Sequence, residues 1–463
     1  MFKKGLFIVT LLLCFVSQSQ SNRILYGFAE LPQNLMVNPG AETNFSLHIG
    51  MPLLSGINVH AGTTNFTLSD LFLSDGNPFK SKLGTLINKL TNDDYININA
   101  QIDLINLGFR INSKTYISLG FYEELHFMSY FPKDAALLAY EGNAAYVNKS
   151  FDFSKIRMNG ELVGVLHAGV SYKVDKRLTI GGRLKMYSSG FNFHTNNNKG
   201  TFTTSESDIN VVNHFLRNMN YEFKTSGLYK ENTLDINTET ILKNTFFGNN
   251  QGFGVDMGFT YHLTPQVELT GSVLDLGSIE YSNEVKNTTL KGSYFFDGIE
   301  FLYDSEDNID YFGNVYNDLK DKVTLDTNTE SYSVKRPTKV NVSVKYGYGL
   351  MRKNKKCFDV PYKEYYNNSV GLQLHTIHQL NGFQFAVTSF FEKHFREKYH
   401  IKATYTIDGY SASNVGFGFS GEFGKFNIFS MVDNVFGTAS LTSSNTTSFL
   451  VGFNFNFKKN DKK

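Results

Sequence analysis

The amino-acid sequence predicts an all-β protein, a transmembrane antiparallel β-barrel of about 14 strands with short helices in its loops or lumen. Apolar and polar residues alternate in many segments of about nine to eleven residues, the length that a tilted membrane strand requires. The chain also begins with the pattern of a secretory leader and finishes with a strand of alternating phenylalanines. After the leader, no apolar run approaches the roughly 20 residues of a membrane helix.

The first residues have the parts of a secretory signal peptide. Lys3 and Lys4 form a positive start, and the apolar stretch Leu6–Val16 that follows is too short to span a bilayer as a mature helix. An uncleaved anchor is the alternative. We expect a signal peptide at 1–20 and a single outer-membrane barrel domain at 21–463.

The small number of cysteines limits the disulfides and metal sites that the mature chain can form. Cys14 lies inside the apolar part of the leader and would leave with it, so Cys357 would be the only remaining thiol. An intramolecular disulfide and a cysteine-based metal site are then excluded.

Alternation of period two marks the individual strands, because successive side chains of a strand point to opposite faces. Segments with this pattern include Leu178–Met186, Phe253–Tyr261, Val340–Tyr348, Tyr399–Ile407 and Val415–Phe423. Counting back from the C-terminus gives about 13 strands from Tyr95 onward, and one more from the 44–63 region makes an even number.

The connections differ in length, and counting from the C-terminus puts the short and long ones at opposite ends of the barrel. The short ones are 112–114, 174–176, 264–265 and 422–425, and the long ones are 129–159, 193–251 and 282–338. Outer-membrane barrels have short periplasmic turns and long outer loops, so we expect the long segments to face outside. Met351–Tyr366, which contains Cys357, is a long connection on the periplasmic side, and its role is left open.

Two segments have helical rather than strand-like patterns. Lys80–Leu90 has apolar residues at helical spacing, and Pro132–Gly142 begins with proline and finishes with glycine. The sequence leaves two alternatives for these helices: a plug inside the lumen or decoration of the loops.

The last strand has an apolar face and a mostly small or polar face, with Leu450 as the exception on the polar side. The apolar face consists of Phe449, Val451, Phe453, Phe455 and Phe457. Together with Gly452, Phe455 and Phe457 have the spacing of the terminal signal that outer-membrane barrels present to the barrel-assembly machinery. We therefore expect that machinery and outer-membrane lipid as partners.

Charged residues that point inward by alternation are the best candidates for a site. They are Arg183, Lys185, Asp256, Lys345, Lys402 and Glu422. An ion-selective pore would favour a ring of one sign, whereas these charges are mixed. We interpret them as a network that braces or fills the barrel, and a polar path for a solute is the alternative.

No pattern in the chain indicates an enzyme, a cofactor site or a metal site. The motifs of zinc proteases, serine hydrolases and phosphate-binding loops are missing, and the G-x-G-x-x-G match at Gly416–Gly421 falls on a strand, whereas a dinucleotide site needs it to open a helix. A net charge of +1 argues against a nucleic-acid partner.

Several blocks across the chain carry a resemblance to a known group of barrels. They are Leu25–Gly40, His48–Gly56, Tyr130–Asp134, Glu141–Asn143, Gly252–Gly258, Ser272–Gly277 and Met431–Asn434. The chain resembles an uncharacterised domain-of-unknown-function family of outer-membrane barrels from Gram-negative Bacteroidota, similar in general shape to PorV and PorP proteins and to FadL-type transporters. The resemblance implies the fold and an outer-membrane location, and it implies no functional residues.

Two classes of non-enzymatic function follow from these observations. The first is a structural or accessory subunit of an envelope complex related to secretion or assembly, which would have a protein partner, a filled lumen and outer loops with exposed aromatics. The alternative is a FadL-like transporter of a hydrophobic or poorly soluble ligand, which would have an apolar pocket and an exit from the barrel. The mixed charges of the lumen favour the first class.

Overall fold

The computed structural model describes residues 23–28, 31–206, 212–230, 233–296, 321–350, 366–395, 398–412, 414–439 and 444–458. The signal peptide predicted at 1–20 and the segment 351–365 with Cys357 lie outside the described residues.

The strands follow one another through the described chain. In order they are β1 (Phe45–Gly50), β2 (Ile57–Thr63), β3 (Tyr95–Arg110), β4 (Thr115–Tyr130), β5 (Ser150–Asp152), β6 (Met158–Lys173), β7 (Leu178–Thr195), β8 (Lys199–Glu206), β9 (Val212–Ser226), β10 (Tyr229–Lys230), β11 (Thr233–Leu234), β12 (Gln251–His262), β13 (Val267–Tyr281), β14 (Val285–Phe296), β15 (Val323–Asn328), β16 (Tyr332–Lys335), β17 (Lys339–Leu350), β18 (Tyr366–Gln379), β19 (Gly382–Phe395), β20 (Tyr399–Ile407), β21 (Asn414–Phe423), β22 (Phe426–Val432) and β23 (Thr446–Lys458).

The short helices are α1 (Asn34–Val37), α2 (Leu68–Phe72), α3 (Phe79–Lys89), α4 (Lys133–Glu141), α5 (Thr238–Asn244) and α6 (Val435–Ala439). Among the described residues, no helix is long and apolar enough to cross a membrane.

Fourteen antiparallel strands close into a barrel, as the sequence predicted. The last strand, β23, pairs with both halves of the first strand, β1 and β2, which removes the free edges of the sheet. β16 and β17 likewise form one strand beside β13. The strands β8, β9, β14 and β15 extend the sheet beyond the barrel wall.

The two ends of the barrel differ in the length of their connections. The tight turns 111–114, 174–177, 263–266 and 424–425 lie at the end where β1 begins and β23 finishes, which we call the turn end. The longest excursions, together with α2, α3, α4 and α5, depart from the opposite end, the loop end. The asymmetry is the one predicted from the lengths of the connections.

The outward face of the wall is apolar. Outward side chains such as Leu184, Met257, Val344 and Leu372 are exposed, while each has an inward neighbour that is polar and buried: Arg183, Asp256, Ser343 and Gln373. This inversion of the usual protein pattern is typical of a barrel whose outside faces lipid and whose inside is polar.

The two predicted helices are α3 and α4, and neither enters the lumen. They pack against each other in the excursions of the loop end, where Leu137 of α4 and Ile87 of α3 share a cluster with Phe151 of β5. Of the two alternatives, decoration of the loops is therefore the one observed. The plug is formed by a different segment.

Candidate functional site

The lumen is closed by the N-terminal segment 23–44, of which 23–28 and 31–44 are described; we call it the plug. At the loop end, Arg23 Nη1 of the plug lies 2.5 Å from Asp408 Oδ2 of the wall. At the turn end, the Arg110 guanidinium donates to the carbonyl of Thr43. The plug therefore runs the length of the lumen before the chain enters β1.

The charge of Arg23 is retained inside the barrel. Burial lowers the pKa of Arg23, but the charges of Asp408 and Asp433 and the hydrogen bond to Asp408 together raise it by more, so that the pKa ends above its usual value. Burial also raises the pKa of Tyr26 in the plug to about 12, so its phenol stays protonated.

The part of the plug nearest the loop end packs on an apolar patch of the inner wall. Ile24, Leu25 and Phe28 form one cluster with Phe429 and Leu450. Leu450 was the exception on the polar face of the last strand, and the plug explains it: an inward leucine there is covered by protein rather than by water.

Arg183 holds the middle of the plug. Its Nη1 donates to the carbonyl of Leu35 at 3.0 Å, and its Nη2 donates to the carbonyl of Met36 at 2.6 Å. These carbonyls belong to α1, whose last turn leaves carbonyls without helical partners. The same guanidinium also pairs with Asp256: its Nε donates to Oδ2 at 2.7 Å and its Nη2 lies 2.5 Å from that oxygen, so one arginine joins the wall network to the plug.

Lys185 and Lys402 extend the same arrangement. Lys185 Nζ lies 3.0 Å from Asp256 Oδ2 and also binds Asp275. Lys402 Nζ donates to the carbonyl of Tyr26 in the plug at 2.7 Å and lies 3.3 Å from Glu392 Oε1.

The other predicted charges lie apart from the plug contacts. Lys345 Nζ pairs with Glu268 Oε1 at 2.9 Å on the neighbouring strand, and Glu422 Oε2 pairs with Lys458 at 2.7 Å near the turn end. The structure therefore brings Arg183, Lys185 and Asp256 into one cluster and leaves the others in separate pairs.

The residues of the predicted assembly signal lie in β23. Phe455 points outward and is exposed, and Phe457 is half-buried. A side chain at Gly452 would overlap the carbonyl of Ser55, so this glycine allows the Ser55 backbone to approach β23 closely on the inside of the barrel. The role of these residues in assembly stays a prediction.

Asp275 was missed because a β-bulge changes the direction of its side chain. Alternation from Ser272 and Leu274 predicts that Asp275 points outward, but the bulge between β12 and β13 leaves Asp275 buried in the lumen with positive φ. Its backbone N–H donates to Asp256 Oδ1 at 2.6 Å.

Arg336, in the interruption between β16 and β17, was also missed. It is buried between two inward carboxylates, Glu124 and Glu161, and its Nη2 lies 2.5 Å from Glu124 Oε2. The following proline, Pro337, signals an interruption in the strand, but nothing in the sequence alone shows which partners the arginine meets.

Glycines of the wall make room for the tight turn of the plug at Pro39. A Cβ on Gly181 would overlap the Pro39 carbonyl, and one on Gly258 would overlap the Asn38 side chain. Close approach of two backbones is a common reason for glycine inside a strand. The blocks Leu25–Gly40 and Gly252–Gly258 therefore meet in space.

We expect the substitution Gly181→Val to displace the plug. The new side chain points into the lumen at Pro39, so the plug must shift, and both the ion conductance in planar bilayers and the sensitivity to heat should increase. Gly182→Val is the matched control, because this neighbour points to the other side and has only the Asp256 carbonyl nearby, at 3.8 Å. Equal conductance of both variants and the wild type would contradict the role of Gly181.

Two small cavities border the plug. The larger, about 70 Å³, lies between plug residues such as Leu25 and Val37 and wall residues such as Asn58 and Asp103. The smaller, about 50 Å³, is lined by Glu42, His262 and Lys345 among others. Each holds only a few water molecules. Within the described part of the chain, no group of three or more histidine, cysteine, aspartate or glutamate residues could hold a metal ion.

An apolar outer wall, a polar lumen and an internal N-terminal plug define the chain as a plugged transmembrane β-barrel. The chain belongs to the family of unknown function DUF5723, which matches residues 39–433. No functionally curated protein matches the sequence.

Solved barrels with some similarity include two toluene transporters. TbuX of Ralstonia pickettii is 9% identical, with a TM-score of 0.41 and coverage of 92% of this chain and 94% of TbuX. TodX of Pseudomonas putida is 10% identical, with a TM-score of 0.40 and coverage of 95% and 96%. A FadL homologue of Pseudomonas aeruginosa is 10% identical, with a TM-score of 0.42 and coverage of 96% and 99%.

Proposed function

We propose that the protein is a non-enzymatic outer-membrane transporter whose N-terminal plug gates the passage of a small amphipathic ligand. The outer-membrane location rests on the closed barrel with its apolar outer band, since closed barrels and helices are the structures that satisfy all backbone hydrogen bonds in lipid. The barrel-assembly machinery and outer-membrane lipid are partners under the same proposal.

The observation that carries this proposal is the position of the larger cavity, between the plug and the break in the first wall strand. Residues 51–56 leave the sheet between β1 and β2, and Leu53 and Leu54 are exposed on the outside. Gly56, at the end of this break, lines the cavity together with Asp103. A wall strand that is interrupted beside a cavity offers a lateral route to the membrane.

The chemistry of the cavity favours an amphipathic ligand. The plug contributes apolar side chains, Leu25 and Val37, whereas the wall contributes the polar side chains of Asn58, Gln101 and Asp103. The observed volume is too small for such a ligand, so the plug has to move before the ligand enters. The hydrogen bonds and ion pairs that hold the plug are reversible contacts of moderate strength.

The accessory-subunit class remains a second candidate, because the lumen is filled and the loop end exposes aromatic side chains. Phe72, Phe79 and Phe436 are all largely exposed there. Exposed aromatics of this kind are enriched at protein interfaces. An envelope protein bound at the loop end would cover them.

One preparation tests both candidates. The protein is purified from its native membrane in mild detergent, and its bound small molecules are identified by mass spectrometry. Leu450→Phe narrows the cavity that Leu450 lines, and Leu450→Met serves as a control of similar volume. The transporter proposal predicts that a small amphipathic molecule co-purifies with the wild type and the control and is lost from Leu450→Phe.

The same preparation can contradict the proposal. If the small-molecule extracts of the three proteins are identical, the cavity binds no ligand. A stoichiometric envelope protein in that preparation, released by substitution of Phe72 and Phe436 with serine, would favour the accessory subunit.

A further inference from the structure

The outward face of β4 carries a carboxylate at the depth of the membrane. Tyr122 and Glu124 are buried in the lumen, so Glu123 between them points outward. On the same outward face, Leu119 and Leu125 are 41% and 37% exposed, one on each side of Glu123. A carboxylate inside an apolar band destabilises a barrel unless another group covers it.

Residues 238–248 of the excursion after β7 fold back along the outside of the wall and cover this carboxylate; we call them the latch. Thr245 Oγ1 donates to Glu123 Oε1 at 2.7 Å. Beside it, the ring of Phe246 stacks on the ring of Phe121, with 5.0 Å between their centroids. The latch therefore provides both a hydrogen bond and an apolar cover.

The wall is shaped to receive the latch. A Cβ on Gly164 would overlap the Thr245 carbonyl, and a Cβ on Gly190 would overlap the Ile241 carbonyl. Between these glycines, the Ser188 hydroxyl donates to the Asn244 carbonyl at 2.7 Å and accepts from the Gly248 N–H at 2.7 Å. Two outward positions without side chains and a hydroxyl between them form a seat for this backbone.

The backbone of the latch is compatible with an apolar surrounding. The N–H of Ile241 donates to the Asn237 carbonyl at 2.9 Å, that of Thr245 to Leu242 at 3.2 Å, and that of Phe246 to Lys243 at 3.1 Å. Irregular chain survives at membrane depth only where its polar groups find partners and are backed by protein.

The surface that the latch turns away from the barrel carries three large apolar side chains, and the charged residues Glu239 and Lys243 of α5 are also exposed. Leu242, Phe246 and Phe247 are exposed, and they continue the exposed apolar face of the wall at Leu166 and Leu184. We propose that the latch lies in the outer leaflet and that these three side chains contact lipid acyl chains, so that a loop completes the membrane-facing surface over Glu123. This inference is independent of the transport proposal.

The complete absence of tryptophan makes a direct test possible, because any introduced tryptophan is the only indole fluorophore. Phe247→Trp is reconstituted into vesicles of phosphatidylcholine or of phosphatidylcholine brominated at mid-chain. Leu184→Trp is the membrane reference, and Leu73→Trp in the excursion after α2 is the aqueous reference; the three native side chains are 60%, 67% and 56% exposed.

The proposal predicts that brominated lipid quenches Phe247→Trp at least about half as strongly as Leu184→Trp, and much more strongly than Leu73→Trp. Adding Gly190→Leu, which blocks the seat, should reduce the quenching of Phe247→Trp while that of Leu184→Trp is unchanged. If Gly190→Leu does not fold, Thr245→Val replaces it.

Two results would overturn the proposal. One is quenching of Phe247→Trp no stronger than that of Leu73→Trp. The other is weak quenching of Phe247→Trp that becomes strong only at a low protein-to-lipid ratio, where the protein is monomeric. That result would show that a second copy of the chain, rather than lipid, covers this face.

Discussion

Arg336→Met should lower the free energy of unfolding by about 3–5 kcal/mol, because it leaves two buried carboxylates without their shared cation. The guanidinium is buried between Glu124 and Glu161, and the Tyr281 hydroxyl donates to Glu161 Oε2 at 3.1 Å. Lys339 Nζ is 3.9 Å from Glu124, too far to replace the arginine in full. Urea titration of the refolded barrel in lipid vesicles measures the loss.

The matched control removes the positive charge of Arg336 together with the negative charges of both glutamates. In the triple variant Arg336→Met, Glu124→Gln and Glu161→Gln, this cluster contains no unpaired charge. The free energy of unfolding should therefore return most of the way to the wild-type value. Wild-type stability of Arg336→Met alone would show that water reaches these carboxylates and that the lumen is not filled at this level.

Leu184→Arg should destabilise the barrel by about 2–4 kcal/mol and reduce the fraction that assembles, because it places a charge on the lipid face near the middle of the wall. Leu184 lies between Arg183 and Lys185, which are both buried in the lumen. The same charge is therefore favourable at one position and unfavourable at the next. Heat-modifiability gels give the folded fraction, and urea titration gives the free energy.

The control for this experiment is Leu184→Ala, which shortens the side chain without adding a charge. It should retain nearly the wild-type folded fraction, since an exposed side chain on the lipid face leaves no cavity. A folded fraction of Leu184→Arg equal to that of Leu184→Ala would contradict the placement of this face in lipid.

For the charged residues of the lumen, the sequence predicts the face of the strand on which each one lies, but not its binding partners. Alternation places Arg183, Lys185 and Asp256 on one face, because the two-residue period of a strand is a local property. It does not show that Arg183 also binds the carbonyls of Leu35 and Met36, about 150 positions away along the chain. That contact depends on closure of the whole barrel.

Local exceptions to the pattern were informative only after the structure was known. Leu450 breaks the polar inward face because the plug covers it, and Asp275 turns inward because a bulge adds one residue to its strand. The residues before β1 have no strand period, and they form the plug. Two better helical patterns, in α3 and α4, pack at the loop end instead.

The sequence by itself determined the class of fold, the positions of the wall strands, the short and long connections and the inward direction of most charges. These features follow from the alternation of side chains and from turn chemistry, which act over a few residues. Only the tertiary structure decided which segment fills the lumen, which ions pair, and that residues 238–248 cover Glu123 on the outside. Those contacts join residues far apart in the chain, and they exist only when the strands have closed and set the distances between them.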